Sequence, residues 1–183
     1  MKIGISGASG QLGRAILAEI AARGGNDDAV VGISRTPDTV EPPAQGRHGD
    51  YDHPETLAAA YAGLDRLVII PAADVRPGVR SRQFVAAIDA AVGARVGHVV
   101  LISSAATREA AEPEMYAPYW TAEQHLVRTA PRWTILRMNY YAESFAQVAA
   151  LSLRSGVLAG LGENRVAFVS RDDLAGAAAG ILL

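Results

Sequence analysis

The clearest chemical pattern in the chain is Gly7-Ala8-Ser9-Gly10-Gln11-Leu12-Gly13. It follows a short apolar run, Lys2–Ser6. It opens a segment in which Leu12, Ala15, Ile16 and Ile20 fall on one helical face. A glycine triplet between a strand and a helix suits a diphosphate. The first glycine permits the tight turn, the second lets backbone approach phosphate oxygens without a Cβ in the way, and the third lets the helix lie against the sheet. Amides at the helix N-terminus then face the anion. The bland alternative is a glycine turn without a ligand, and the parallel α/β pattern around it weighs toward binding.

A second position selects the dinucleotide. Val30-Val31-Gly32-Ile33-Ser34-Arg35 reads as a second strand that ends in arginine, with no acid for a ribose 2′-hydroxyl. A guanidinium there matches a 2′-phosphate. Against the alternative of an ordinary solvated arginine, the missing acid and the cation point together to NADP(H). Other chemistries lack their residues. His48, His53, His98 and His125 do not have metal-ligand spacing, and the chain has neither a Gly-x-Ser-x-Gly elbow nor a P-loop lysine.

The elements that must carry these residues alternate. Apolar runs at Lys2–Ser6, Val30–Ser34, Leu67–Ile70 and Val99–Ile102, with a less pure one at Trp133–Leu136, read as strands covered on both faces. Between them lie helical patterns such as Phe84, Ile88, Ala91 and Val92. This predicts a doubly wound parallel α/β sheet, a Rossmann fold, with the ligand at the strand C-termini and residues 1–183 forming one domain. Thr36 to Gly46 holds Pro37, Pro42 and Pro43, so that crossover is expected as a loop. A second loop is expected from Ala110 to Pro118. Asp52-His53-Pro54-Glu55 reads as a helix start, and Leu174 to Leu183 as a last helix.

Composition narrows the function classes. Half of the 183 residues are hydrophobic, a fifth are charged, and the net charge is -2 with no basic stripe, so nucleic-acid contact is not expected. Without cysteine there is no disulfide framework and no thiolate zinc site. The amino end lacks the apolar stretch of a signal peptide, and no run approaches the ~18 apolar residues of a membrane span. A soluble, cytoplasmic protein is expected, with no membrane contact and room for a homodimer.

Together, the glycine turn, Ile33-Ser34-Arg35-Thr36-Pro37, Arg47-His48-Gly49-Asp50-Tyr51 with Pro54-Glu55-Thr56-Leu57, Trp133-Thr134-Ile135-Leu136-Arg137 with Tyr140-Tyr141 and Glu143, and Ser170-Arg171-Asp172-Asp173-Leu174-Ala175 carry a resemblance. The chain resembles the NmrA-like atypical short-chain dehydrogenases, in their quinone-oxidoreductase-like and triphenylmethane-reductase-like branch. The resemblance implies a site in pieces: Gly7 to Gly13 on the diphosphate, Arg35 on the 2′-phosphate, and Asp50 and Tyr51 around the adenine. Pro71, Ala72 and Ala73 would run along the cofactor, Met138, Asn139, Tyr140 and Tyr141 would flank the nicotinamide, and Arg171 would reach toward it. Each has a plainer reading, as a turn residue, a strand terminus, a core aromatic or a helix start.

Typical members of the wider family use a Tyr-x-x-x-Lys pair. The nearest match here, Tyr119-Trp120-Thr121-Ala122-Glu123, has glutamate for lysine, which is expected to raise the tyrosine pKa. Tyr119 is therefore read as a packing or lid residue, and Ser103 and Ser104 only suggest a substrate-orienting serine. The resemblance implies an NADPH-dependent reductase passing hydride to a quinone or another conjugated aromatic small molecule, for which no protein acid is required. Its alternative is a non-catalytic NADP(H) sensor of the NmrA type; a nucleotide-sugar epimerase fits less well. Family members usually continue into a smaller substrate lobe, which this chain is expected to lack or to carry truncated.

Overall fold

The computed structural model describes residues 1–24, 29–157 and 165–183. The first apolar run forms β1 (Lys2–Ser6), and the glycine turn leads into α1 (Gln11–Ala22). Then follow β2 (Ala29–Ser34), a 3-10 turn at Pro37–Thr39, β3 (Gln45–His48), a 3-10 turn at Pro54–Thr56 and α2 (Leu57–Tyr61). The second half gives β4 (Arg66–Ile69), α3 (Val79–Gly93), β5 (His98–Ser104), α4 (Ala117–Thr129) and β6 (Trp133–Met138). The tail holds β7 (Tyr140–Tyr141), α5 (Ala142–Ser155), β8 (Phe168–Val169) and α6 (Arg171–Leu182).

Six strands pair in parallel in the order β3-β2-β1-β4-β5-β6, and β7 and β8 pair separately. The order runs outward in both directions from the β1–β4 junction, so the crevice at the switch point opens at the carboxyl ends of those strands. The expected Rossmann fold is thus present. Its layers follow from the alternation of side chains along each strand. Leu67, Ile69, Val99 and Leu101 face one core with Phe84, Ile88 and Leu126 of α3 and α4. Val68, Val100 and Ile102 face the other, with Ile3, Ile5, Ile16, Ile20 and the alanines of α6. Each isoleucine or leucine so enclosed contributes roughly 1.5–3 kcal/mol.

The proline-rich crossover after β2 holds only a three-residue 3-10 turn, and Pro54 opens the turn that leads into α2, both as the prolines imply. Three elements depart from the sequence reading. Strand β3 has no apolar run because it lies at the sheet edge, with none of its four residues buried. The helix expected from Leu174 starts at Arg171, capped by Ser170. The loop expected through Pro118 ends earlier, because Pro118 sits in the first turn of α4, where a missing N–H costs nothing.

Candidate functional site

The glycine turn is locked to the strand beside it. The carbonyl of Ile33 in β2 accepts from the amides of both Gly7 and Ala8, each at 3.0 Å. Gly7 takes φ of 97°, a left-handed backbone that a side chain would strain. At Gly13 a Cβ would overlap the Gly7 carbonyl and the Ala8 backbone, so α1 approaches the turn this closely only with glycine there. Gly10 is the extended residue before α1 and offers no capping side chain. The amides of the first helical turn are therefore left for an external acceptor. This cradle fits a diphosphate. Ala8 and Leu12 are buried, Ser9 is half-buried, and Gln11 lies exposed at the rim.

Arg35 leaves the end of β2 exposed, with no hydrogen bond or ion pair among the described residues. Asp50 shapes a turn: its Oδ1 accepts from the Asp52 amide at 3.0 Å, and its own amide donates to Thr56 Oγ1 at 2.9 Å. Tyr51 reaches inward, its hydroxyl 2.8 Å from Ser6 Oγ and 3.1 Å from the Ile70 carbonyl. Burial pushes that hydroxyl well above the usual tyrosine range. Tyr61, fully enclosed, meets the same Ser6 Oγ at 2.8 Å and is raised for the same reason. The buried end of β1 is thus held by two phenols, a trio absent from the sequence reading. Its signal was a lone hydroxyl closing an apolar strand, since a buried Ser6 must find partners.

Past β4, Pro71 and Ala72 line a shallow cleft with Tyr51, Arg80, Gln83 and Phe84, and Ala73 lies exposed beyond it. Gln83 donates to Asp52 at 2.8 Å, while its Oε1 and the Arg80 Nε are buried without a hydrogen-bond partner among the described residues. Both residues also line the cleft. Next to it, Asp74 is held down at about 2 by hydrogen bonds from Arg76, closing the loop before α3.

At the far end of the sheet, Met138 closes β6, and its sulfur accepts from the Tyr141 hydroxyl at 3.1 Å. Asn139 is exposed, and Tyr140 stacks edge-on against Phe168. The Arg171 guanidinium lies 5.2 Å from the centre of the Tyr141 ring, and the Arg171 amide donates to Glu143 at 2.9 Å. Burial pushes Tyr141 up to about 12 despite Arg171. The site residues named from sequence therefore fall into two groups along one edge. The glycine turn, Arg35, Asp50, Tyr51 and Pro71–Ala73 gather around the ends of β1, β2 and β4, and Met138–Tyr141 with Arg171 gather beyond β6.

Between them lies a network that changes the reading of Glu123. Its carboxylate accepts from Ser103 Oγ at 2.6 Å and from Arg137 Nε and Nη2 at 2.9 and 2.6 Å. Glu123 thus answers to Arg137, the residue in register with Ser103 across β5 and β6, and not to Tyr119. Tyr119 packs on Phe84 with ring centres 5.9 Å apart, under the Arg80 guanidinium. Its hydroxyl is raised by burial, and not by the Glu123 carboxylate from which the rise was expected. Ser103 is fully enclosed and its only proton is committed to Glu123, so it has none to offer an oxygen outside. Ser104 receives a long bond from the Ala106 amide at 3.4 Å.

The histidines are dispersed. His98 in β5 meets Thr134 at 2.9 Å, His125 meets Asp89 at 2.6 Å, and His53 meets Glu55 at 3.2 Å. Among the described residues no group of three or more His, Cys, Asp or Glu could hold a metal ion, and no helix is long and apolar enough to cross a membrane.

Comparison with known proteins agrees with this geometry. A family described as NAD(P)H-binding matches residues 7–183. Quinone oxidoreductase 2 of Escherichia coli (strain K12) is 29% identical over 185 residues, covering 98% of this chain and 63% of that protein. The Citrobacter sp. triphenylmethane reductase complexed with NADP(H) superposes with a TM-score of 0.84 at 26% identity, covering 100% of this chain and 65% of that one. The NADPH-dependent quinone oxidoreductase of Escherichia coli complexed with NADPH also gives 0.84, at 27% identity, with 98% and 64% covered. The chain thus spans less than two thirds of the length of each of these relatives.

Proposed function

The chain belongs to the NAD(P)H-binding family, and from that premise we propose that it is an NADPH-dependent reductase passing hydride to a quinone-like or other conjugated aromatic acceptor. The observation that carries the cofactor half is Arg35: an exposed cation without a partner among the described residues, where an NAD-selective site would place an acid. In this reading residues 1–183 act as one nucleotide-binding unit. Gly7 to Gly13 hold the diphosphate, Arg35 the 2′-phosphate, and Asp50 and Tyr51 border the adenine. Pro71, Ala72 and Ala73 run along the cofactor, while Met138, Asn139, Tyr140, Tyr141 and Arg171 border the nicotinamide side. When bound, the reduced nicotinamide supplies the hydride.

The acceptor half rests on the Ser103–Glu123–Arg137 network. A simple ketone needs a proton delivered as the hydride arrives, and the Tyr-x-x-x-Lys positions that deliver it in typical members are here Tyr119, packed against Phe84, and Glu123, whose charge is answered by Arg137. An electron-poor aromatic ring spreads the incoming charge and takes its proton from solvent, so positioning and exclusion of water suffice. The similarity to a quinone reductase and a dye reductase, each over most of this chain, supports the same class.

The test is NADPH consumption, followed optically, against a panel of quinones, triarylmethane dye cations and simple ketones, with NADH in parallel. Turnover of the conjugated acceptors with NADPH and none of the ketones is expected. Tight NADPH binding with no turnover of any acceptor would replace the reductase with the NADP(H) sensor.

A further inference from the structure

We propose that Arg14 is a second cation of the 2′-phosphate site, acting with Arg35 to select NADP(H) over NAD(H); this rests on the cofactor reading above and deepens it. Arg14 stands in the first turn of α1, directly after Gly13, and is exposed. Its Nε donates to the carbonyl of Ser9 at 2.9 Å, so the side chain folds back onto the turn it follows. Nothing else among the described residues engages its guanidinium, which leaves both Nη groups to bind an anion.

Arg14 and Ala8 line one groove together with Thr39, Val40 and Glu41, and Arg35 lies outside that lining. Thr39 belongs to the loop that leaves β2: its amide and hydroxyl both bond the Thr36 carbonyl, at 3.0 and 2.8 Å, and the Thr36 amide bonds Ser34 Oγ at 3.0 Å. That loop carries Arg35. Because the Ile33 carbonyl ties the glycine turn to β2, the two arginines leave opposite banks of one fixed junction. The acids nearby, Asp38 and Glu41, pair with neither.

An exposed guanidinium beside one phosphate is weakened by water, whereas two that converge on a doubly charged group offer several charge-assisted bonds to its three free oxygens. A ribose hydroxyl offers neither arginine a charge. Arg14 therefore contributes to NADPH and leaves NADH almost untouched. The Ser9 bond matters because it fixes the planar fork, which lysine cannot reproduce.

The experiment is calorimetric titration of the full chain and of Arg14→Ala, Arg14→Lys and Arg35→Ala with NADPH and NADH, and with 2′,5′-ADP against 5′-AMP as probes of the adenosine half. Since Arg14 is exposed, folding should be preserved, and circular dichroism checks it. Arg14→Ala is expected to weaken NADPH and 2′,5′-ADP about tenfold while changing NADH and 5′-AMP less than about twofold, with Arg14→Lys in between. Equal losses for phosphorylated and unphosphorylated ligands, or no loss at all, would overturn the role of Arg14. If Arg35→Ala alone abolishes the preference for NADPH, the cofactor reading stands and only Arg14 falls. If the parent chain itself shows no preference, both fall.

Discussion

Glu123 and His98 are charged or chargeable groups placed where water does not reach, and each has a cost that can be measured. The Glu123 side chain is 3% exposed, so its charge depends on Arg137 and Ser103. Removing the guanidinium by Arg137→Ala would leave a buried carboxylate answered by one hydroxyl. The expected loss is about 2–4 kcal/mol, in the lower part of the range for a broken buried pair because Arg137 itself is half-exposed. The double variant Glu123→Gln/Arg137→Met should recover most of it, since the amide oxygen still accepts from Ser103. Urea midpoints of the three proteins test this; a single variant as stable as the parent would mean that water already screens the pair. His98 acts in the other direction. Burial, then the charges of Arg132 and Arg66, hold its pKa below the ordinary value of about 6.5. The unfolded chain therefore takes up a proton that the folded protein resists. Its contribution is full above that value and is lost as pH falls through it toward the folded one. His98→Gln, which can still reach Thr134, is expected to flatten the fall in melting temperature between about pH 7 and about pH 5. An unchanged slope would place the acid sensitivity elsewhere.

At the scale of elements, α6 shows how a helix of small residues is held. It buries Leu174, Ala175, Ala178, Ala179 and Leu182 against α1 and the sheet. Its first turn is closed by Ser170, whose Oγ accepts from the Asp173 amide at 3.0 Å, with Asp172 and Asp173 at the positive end of the dipole. The last carbonyls, Ile181 and Leu182, receive Arg66 from the start of β4 at 3.3 and 2.9 Å. Ser170→Ala is expected to cost about 1 kcal/mol, read as a lower denaturant midpoint at unchanged slope. This helix also shows what the sequence discloses. Its alanine run is legible in the sequence, but its start is not, because Arg171 reads equally as a cofactor-side residue and as a helix start. Strands β1, β2, β4 and β5 were legible because both their faces are covered, whereas β3, β7 and β8 are edge or two-residue pieces with no hydrophobic period to read. At the site, glycine spacing made the phosphate turn visible, since backbone geometry alone dictates it. The pairing of Glu123 with Arg137 was invisible, because a contact across 14 residues depends on how α4 lies over β5 and β6.

Across the whole molecule the apolar surface is unevenly covered. The central strands are enclosed on both faces, and Ile3, Ile16, Leu101 and Ile102 have no measurable exposure. Helix α5 and the short β7–β8 pair are the reverse: among the residues of α5 only Ser152 is buried, Leu151 is 64% and Leu153 79% exposed, and the exposed rings of Phe145 and Phe168 touch at 5.2 Å. Side chains this open to water contribute little burial energy, so replacing them should not weaken the fold, whereas the same change in the core would. Leu151→Glu/Leu153→Glu is therefore expected to hold the unfolding free energy within about 0.5 kcal/mol of the parent and to raise solubility, because it breaks an apolar patch. Ile16→Ala, a single substitution but at a side chain fully enclosed where α1 meets the sheet, is expected to cost about 2–5 kcal/mol by leaving a cavity. Parallel urea titrations decide the matter. If the α5 pair costs as much as the core truncation, the protein in solution covers that helix.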